Sequence, residues 1–244
     1  DGQHAGSSAS GLTVSGFSGS NVIIEGLSIV NFEGNGITLD NVTSVLVYNN
    51  YIGVAADESA AGNGGNGIEI TGGASSITVG NGTATGNVIS NNSSRGIFIG
   101  SFGGESNNVI YGNLIGVDPS GSTGMGNGFD GIVASGASGT TIGGTSASDR
   151  NVIAGNGRAG VGISGGSATV QGNYIGTNEA GNAAIPNGDG AGSGFDYGGV
   201  QVSNGASSVT VGGTSSGAGN VISGNTDYGV LIIGSGTAAT VEGN

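Results

Sequence analysis

The sequence predicts an all-β solenoid of about eight coils with three short parallel strands per coil, and three observations carry that prediction. One phrase keeps returning, as GNVISNN at 86–92, RNVIAGN at 150–156 and GNVISGN at 219–225. A second pattern, Gly-hydrophobic-x-hydrophobic, recurs seven times. Ile and Val fall throughout in short runs bounded by Gly, Asn or Ser, with no apolar spacing of a helical kind. Such runs are the signature of strands and turns. A phrase that recurs describes architecture before it describes chemistry.

The Gly-led pattern opens at Gly36, Gly67, Gly96, Gly131, Gly160, Gly199 and Gly229. Side chains alternate along a strand, so its first and third apolar residues share a face. This is strand A. Strand B follows in SVLVYN, SSITVG, NNVIYG, TTIGG, ATVQG, SVTVGG and ATVEG. Strand C opens at Asn50, Asn87, Asn113, Asn151, Asn173 and Asn220, and Asn244 begins another. A looser coil fits 12–32. Laid flat, three such strands per repeat need long crossovers. Wound as a coil, each A stacks on the next A, each B on B and each C on C, ~4.8 Å apart. The rod is then roughly 35–40 Å long at that spacing. Ile37, Ile68, Ile97, Ile132, Val161, Val200 and Val230 form one inward ladder, and Ile52, Ile89, Ile115, Ile153, Ile175 and Ile222 another.

The recurrent Asn falls at the B–C corner. Asn tolerates the left-handed backbone conformation, which a sharp corner uses. Its amide can also extend a hydrogen-bonded ladder from coil to coil. Insertions alternate. Long ones follow strand C at 54–66, 117–130 and 177–198, and short ones separate B from C at 81–85, 145–149 and 214–219. Two coils therefore make a super-repeat of 60, 64 or 69 residues between Gly36, Gly96, Gly160 and Gly229.

Composition limits function. Gly is 58 of 244 residues, lysine is absent, and Arg95, Arg150 and Arg158 are the only side-chain bases apart from His4, against 16 acids. A net charge of −13 leaves nothing to replace phosphate counterions, so nucleic acid is not an expected partner. An anionic membrane surface is disfavoured for the same reason, and no apolar run reaches the length of a bilayer span. Without cysteine there is neither a disulfide nor a thiolate metal site. The chain reads as one domain over 1–244. Its uncapped opening and the closing TVEGN, a phrase used elsewhere mid-repeat, suggest a segment of a longer protein.

The phrases GNYIGTNEAGNAAIPNGDGAG, VTVGGTSSGAGNVISGN and NLIGVDPSGSTGMGNG resemble the right-handed parallel β-helix repeats of large bacterial extracellular proteins, within the pectate-lyase-like superfamily. The resemblance implies a right-handed, single-stranded parallel β-helix and an extracellular or cell-surface location. It does not imply one activity. The superfamily includes polysaccharide lyases, hydrolases and epimerases alongside repeat proteins with no assigned chemistry.

Candidate chemistry is sparse. A lyase needs a base and a cation or metal to stabilise developing negative charge, yet His4 lies in an unpatterned terminus. Glycoside hydrolysis needs two carboxylates roughly 5–9.5 Å apart. The nearest approach to such a pair is Asp130 in GFDG and Asp196 in GFDYGG, two coils and roughly 10 Å apart by regular stacking. Seven acids, Asp57, Glu58, Asp118, Asp130, Glu179, Asp189 and Asp196, lie in the long loops among Asn and Gly carbonyls. Those are the hard oxygen ligands calcium prefers. Phe129, Phe195 and Tyr197 are candidates to stack on carbohydrate. An ice-binding plane is excluded, since the outward positions of strand A read Thr38, Glu69, Phe98, Val133, Gly162, Gln201 and Leu231.

Two functions follow. The first is a non-enzymatic structural or adhesive rod, partnered by itself through end-to-end strand pairing or by the rest of a longer chain. The second is a module that binds or processes extracellular polysaccharide.

Overall fold

Each coil begins where a glycine lets neighbouring coils close up. A Cβ on Gly36, Gly67, Gly96, Gly131, Gly160 or Gly199 would lie 2.4–2.8 Å from the γ2 methyl of Ile52, Ile89, Ile115, Ile153, Ile175 or Ile222, respectively. Real side chains cannot approach so closely. The repeated glycine therefore makes room for the isoleucine of strand C.

The architecture is that of a computed structural model, which describes residues 1–17, 19, 21–82, 86–100, 104–188 and 197–244. Sheet A stacks Leu12–Phe17, Ile37–Val42, Ile68–Thr71, Ile97–Ile99, Ile132–Ser135, Val161–Ser164, Gly198–Ser203 and Tyr228–Ile232, in that order. Sheet B stacks Val22–Glu25, Val45–Tyr48, Thr78–Val79, Val109–Ile110, Thr140–Gly143, Ala168–Gln171, Val209–Gly212 and Ala239–Glu242. Sheet C stacks Ser28–Ile29, Tyr51–Ile52, Val88–Ile89, Leu114–Ile115, Val152–Ile153, Tyr174–Ile175 and Val221–Ile222. Every pairing in the three sheets is parallel, and the chain makes eight coils.

The register is the one the sequence predicts. Ile37, Ile68, Ile97, Ile132, Val161, Val200 and Val230 pair in succession, and so do the isoleucines of strand C. These ladders fill one continuous core enclosed by the three sheets. The insertions also fall where expected. Long ones follow strand C in coils 2, 4 and 6, and short ones precede it in coils 3, 5 and 7. One short insertion winds a 3-10 turn, Ala147–Asp149, where no helical element was foreseen. Asp149 closes that turn by accepting from the Ser146 N–H.

The Asn50 ladder is present. Asn50, Asn87, Asn113, Asn151, Asn173 and Asn220 each donate from Nδ2 to the Oδ1 of the next, and Asn220 donates to Asn244, all at 2.7–3.0 Å. Their backbone conformation differs from the expectation. The left-handed residue is the one before the Asn, at Asn49, Gly112, Gly172 and Gly243, with φ between 54° and 69°. The ladder residue itself points its amide inward, and at Asn50, Asn113, Asn173 and Asn244 the reversal falls to its predecessor, whereas Gly86, Arg150 and Gly219, which follow the short insertions, are not left-handed.

A second ladder stands at the C–A corner, and the sequence reading missed it. Asn63, Asn92, Asn127, Asn156, Asn187 and Asn225 are linked in the same way at 2.9–3.0 Å. Each of the six also donates to a carbonyl of the preceding coil, from Ile29 to Ile175. Buried amides cost free energy unless bonded. Here the side-chain donors and acceptors are used.

Candidate functional site

Beyond the second ladder the chain turns outward before entering strand A, and there the C–A corner carries most of the molecule's unusual chemistry. Three residues past the ladder position, stacked coil on coil, lie Asn35, Asn66, Arg95 and Asp130. The Asn66 N–H donates to Asn35 Oδ1, and the Arg95 N–H donates to Asn66 Oδ1. Arg95 Nε lies 3.5 Å from Asp130 Oδ2, and the Arg95 guanidinium sits 4.9 Å from the centre of the Phe98 ring.

One position earlier runs a row of rings and charge. The Arg158 guanidinium is 4.2 Å from the Phe129 ring centre and 5.3 Å from that of Tyr197. These three residues belong to successive coils, since the Arg158 N–H donates to the Phe129 carbonyl. The Tyr197 N–H donates in turn to Asp227. Phe129 is 37% exposed, so the row reaches solvent.

Asp130 sits where the two rows meet and is 8% exposed. Burial pushes its carboxyl above the ordinary carboxylate range. The positive charges of Arg95 and Arg158 oppose that shift without cancelling it. Two of the chain's three arginines thus flank one buried acid, and both also lie on aromatic rings. On the adjoining open face of sheet A, Glu69 pairs in register with Thr38 and Phe98, and its carboxylate accepts from Asn35.

The candidate calcium ligands are dispersed. Asp57 accepts from the Ser59 N–H and hydroxyl, which lower its pKa, and Glu58 beside it is exposed. Asp118 accepts from the N–H groups of Ser122 and Thr123 and from the Ser120 hydroxyl. Partial burial raises the Asp118 pKa, but these hydrogen bonds outweigh it and leave the net shift downward. Asn178 closes the equivalent turn in coil 6 through the N–H groups of Asn182 and Ala183. Glu179 packs on the coil-4 turn, its N–H donating to the Gly121 carbonyl. Asp189, Phe195 and Asp196 lie outside the described residues. Among the described residues no three His, Asp or Glu side chains group together as metal ligands. Among the described residues, Asp130 is the one acid singled out by sequence that meets cationic partners there. Of the candidate rings, Phe129 and Tyr197 share Arg158.

Arg95 and Arg158 are what sequence reasoning missed. The signal was present, since each lies two or three residues past a ladder Asn, as Asp130 does.

No family model matches the chain, and no curated protein matches it. Among solved structures, the A-module of mannuronan C-5 epimerase AlgE4 from Azotobacter vinelandii is similar to 96% of this chain, with 15% sequence identity and a TM-score of 0.59. The chain spans 58% of that structure's length. The likeness shows the fold, a right-handed parallel β-helix.

Proposed function

We propose that this solenoid recognises polysaccharide along its sheet-A side, through Arg95, Asp130 and Arg158 together with Phe98, Phe129 and Tyr197. The observation that carries the reading is the joining of two arginines, one buried carboxyl and three rings in rows that follow the rod axis. A sugar offers a C–H face to a ring and paired hydroxyls to a planar guanidinium. A linear polymer lying along the axis meets a new coil every ~4.8 Å. The likeness to a mannuronan epimerase adds support at the level of fold, and activity has to be argued from the site. Asp130, whose carboxyl burial holds protonated to higher pH, is the group of this cluster best placed to donate a proton if the bound polymer is also processed.

The structural reading retains one observation of its own. Two amide ladders give the rod a stiff, hydrogen-bonded frame whatever it binds. An extracellular, adhesive rod and a polysaccharide-binding one are then the same object described at two scales.

Affinity electrophoresis through gels containing neutral or acidic polysaccharides tests the proposal. Retardation by at least one polymer is expected, with binding weakened about fivefold in Arg158→Ala, which corresponds to ~1 kcal/mol of lost stacking and charge. Unretarded migration in every gel would overturn it.

A further inference from the structure

A separate groove runs along sheet C. Its floor is the outward row Tyr51, Val88, Leu114 and Val152, contributed by coils 2 to 5, so it is ~14 Å long at the strand spacing. Val88 and Val152 are only 5% and 3% exposed although they face away from the main core. Val152 is covered because the long insertions fold back beside sheet C. It packs with Val117, Ala154, Leu114 and Ile185 in a second, smaller apolar cluster. Those insertions raise Pro119 and Glu179 as one wall, and the 3-10 turn raises Ser148 as the other. The open groove has a volume of about 590 Å³, within the range of small-ligand sites.

Arg150 stands in this groove and departs from the repeat. Its equivalents before the ladder Asn of the other inserted corners are Gly86 and Gly219, where a Cβ would lie 1.6 and 2.1 Å from a carbonyl of the next coil. The short insertion of coil 5 leaves Arg150 in an extended conformation, with φ −63°. Its guanidinium lies 4.1 Å from the centre of the Tyr174 ring. Its Nε is buried without a hydrogen-bond partner, and Arg150 forms no ion pair among the described residues. In a chain with three arginines, one is thus held flat on a ring beside a groove, with no ion pair to an acid among the described residues.

We propose that the sheet-C groove is a second carbohydrate site. It holds an oligosaccharide along the rod, C–H faces on the aliphatic floor and hydroxyl pairs on the Arg150 guanidinium. An apolar floor, polar walls, a tyrosine at one end and a ring-backed guanidinium match the amphipathic cross-section of a sugar chain. The site shares no residue with the sheet-A cluster, so the two stand or fall separately.

Isothermal titration calorimetry with cellohexaose, mannohexaose and hexagalacturonate tests it on the whole chain. Arg150→Gly installs the residue the repeat uses elsewhere, and Ser148→Trp narrows the groove from an exposed wall without touching the core. Binding of at least one hexasaccharide is expected, with a component that both groove variants weaken about tenfold and that is distinct from the sheet-A component weakened in Arg158→Ala. Whether the neutral or the acidic hexamer responds separates hydroxyl from carboxylate recognition. Binding that responds only to Arg158→Ala would overturn the groove and leave the sheet-A reading standing. Binding unmoved by either groove variant, or absent with all three hexasaccharides, would overturn the groove as well.

Discussion

The B–C and C–A corners have the same interior and different exteriors. Each encloses an unbroken asparagine ladder with nearly identical geometry. Outside the first ladder the chain enters strand C almost at once, and the flanking residues are mostly small. Outside the second it travels further before strand A, and the residues just ahead of that strand read Asn35, Asn66, Arg95 and Asp130 in one row and Phe129, Arg158 and Tyr197 in the next. The comparison teaches where a solenoid can vary. Positions that satisfy buried amides are held to one residue type by the cost of an unpaired polar group. Positions a few residues outward carry no such debt and are free to hold chemistry.

If the ladders are equivalent, breaking either should cost about the same. Asn113→Ala removes donors from the carbonyls of Val79 and Tyr111 and both partners from its neighbours in the ladder. A loss of at least ~3 kcal/mol is expected in urea unfolding. Asn127→Ala should match it. A much smaller loss at Asn127 would show that the second corner is held by its outer rows instead.

A smaller effect is expected from Asp118, an acid serving its own turn. Asp118→Ala should cost about 1 kcal/mol at neutral pH, given its exposure. Because the folded pKa is depressed, the stabilisation is present above the ordinary aspartate value and disappears as pH falls through the folded one. Thermal melts of the two proteins should therefore converge in acid.

Asp130 should give the smallest effect and the opposite sign. Its folded pKa is raised, so its ionised form weighs against the fold, and acidification through that raised value towards the ordinary one relieves the strain. Asp130→Asn should melt slightly higher than the parent protein at neutral pH and lose that advantage across the same window. A variant that melts lower at every pH would mean that the arginine pairing outweighs burial.

Most of the frame was legible because period-two strands and buried amides leave one-residue signals. Ile89 and Asn87 read the same way in every coil. The second ladder left a signal too, an Asn four residues before the glycine of strand A at Asn63, Asn92, Asn127, Asn156 and Asn225. It was obscured by the Asn- and Gly-rich insertions around it and by Asn187, which stands twelve residues from Gly199. The ring-and-arginine row was less legible for a physical reason. Phe129, Arg158 and Tyr197 are separated by 29 and 39 residues, and only the stacking of coils with unequal insertions brings them into line. Arg150 illustrates the same limit. In sequence it replaces a glycine, and only the packing of the neighbouring loops turns that replacement into the side of a groove.

Both ladders share one further property. In each, every amide donates towards the next coil and none donates back along the ladder, from Asn50 to Asn244 and from Asn63 to Asn225. Their dipoles therefore add head to tail instead of cancelling, and chained hydrogen bonds polarise one another. The molecule has a direction built into its axis, like a compass needle. An applied electric field should turn it lengthwise.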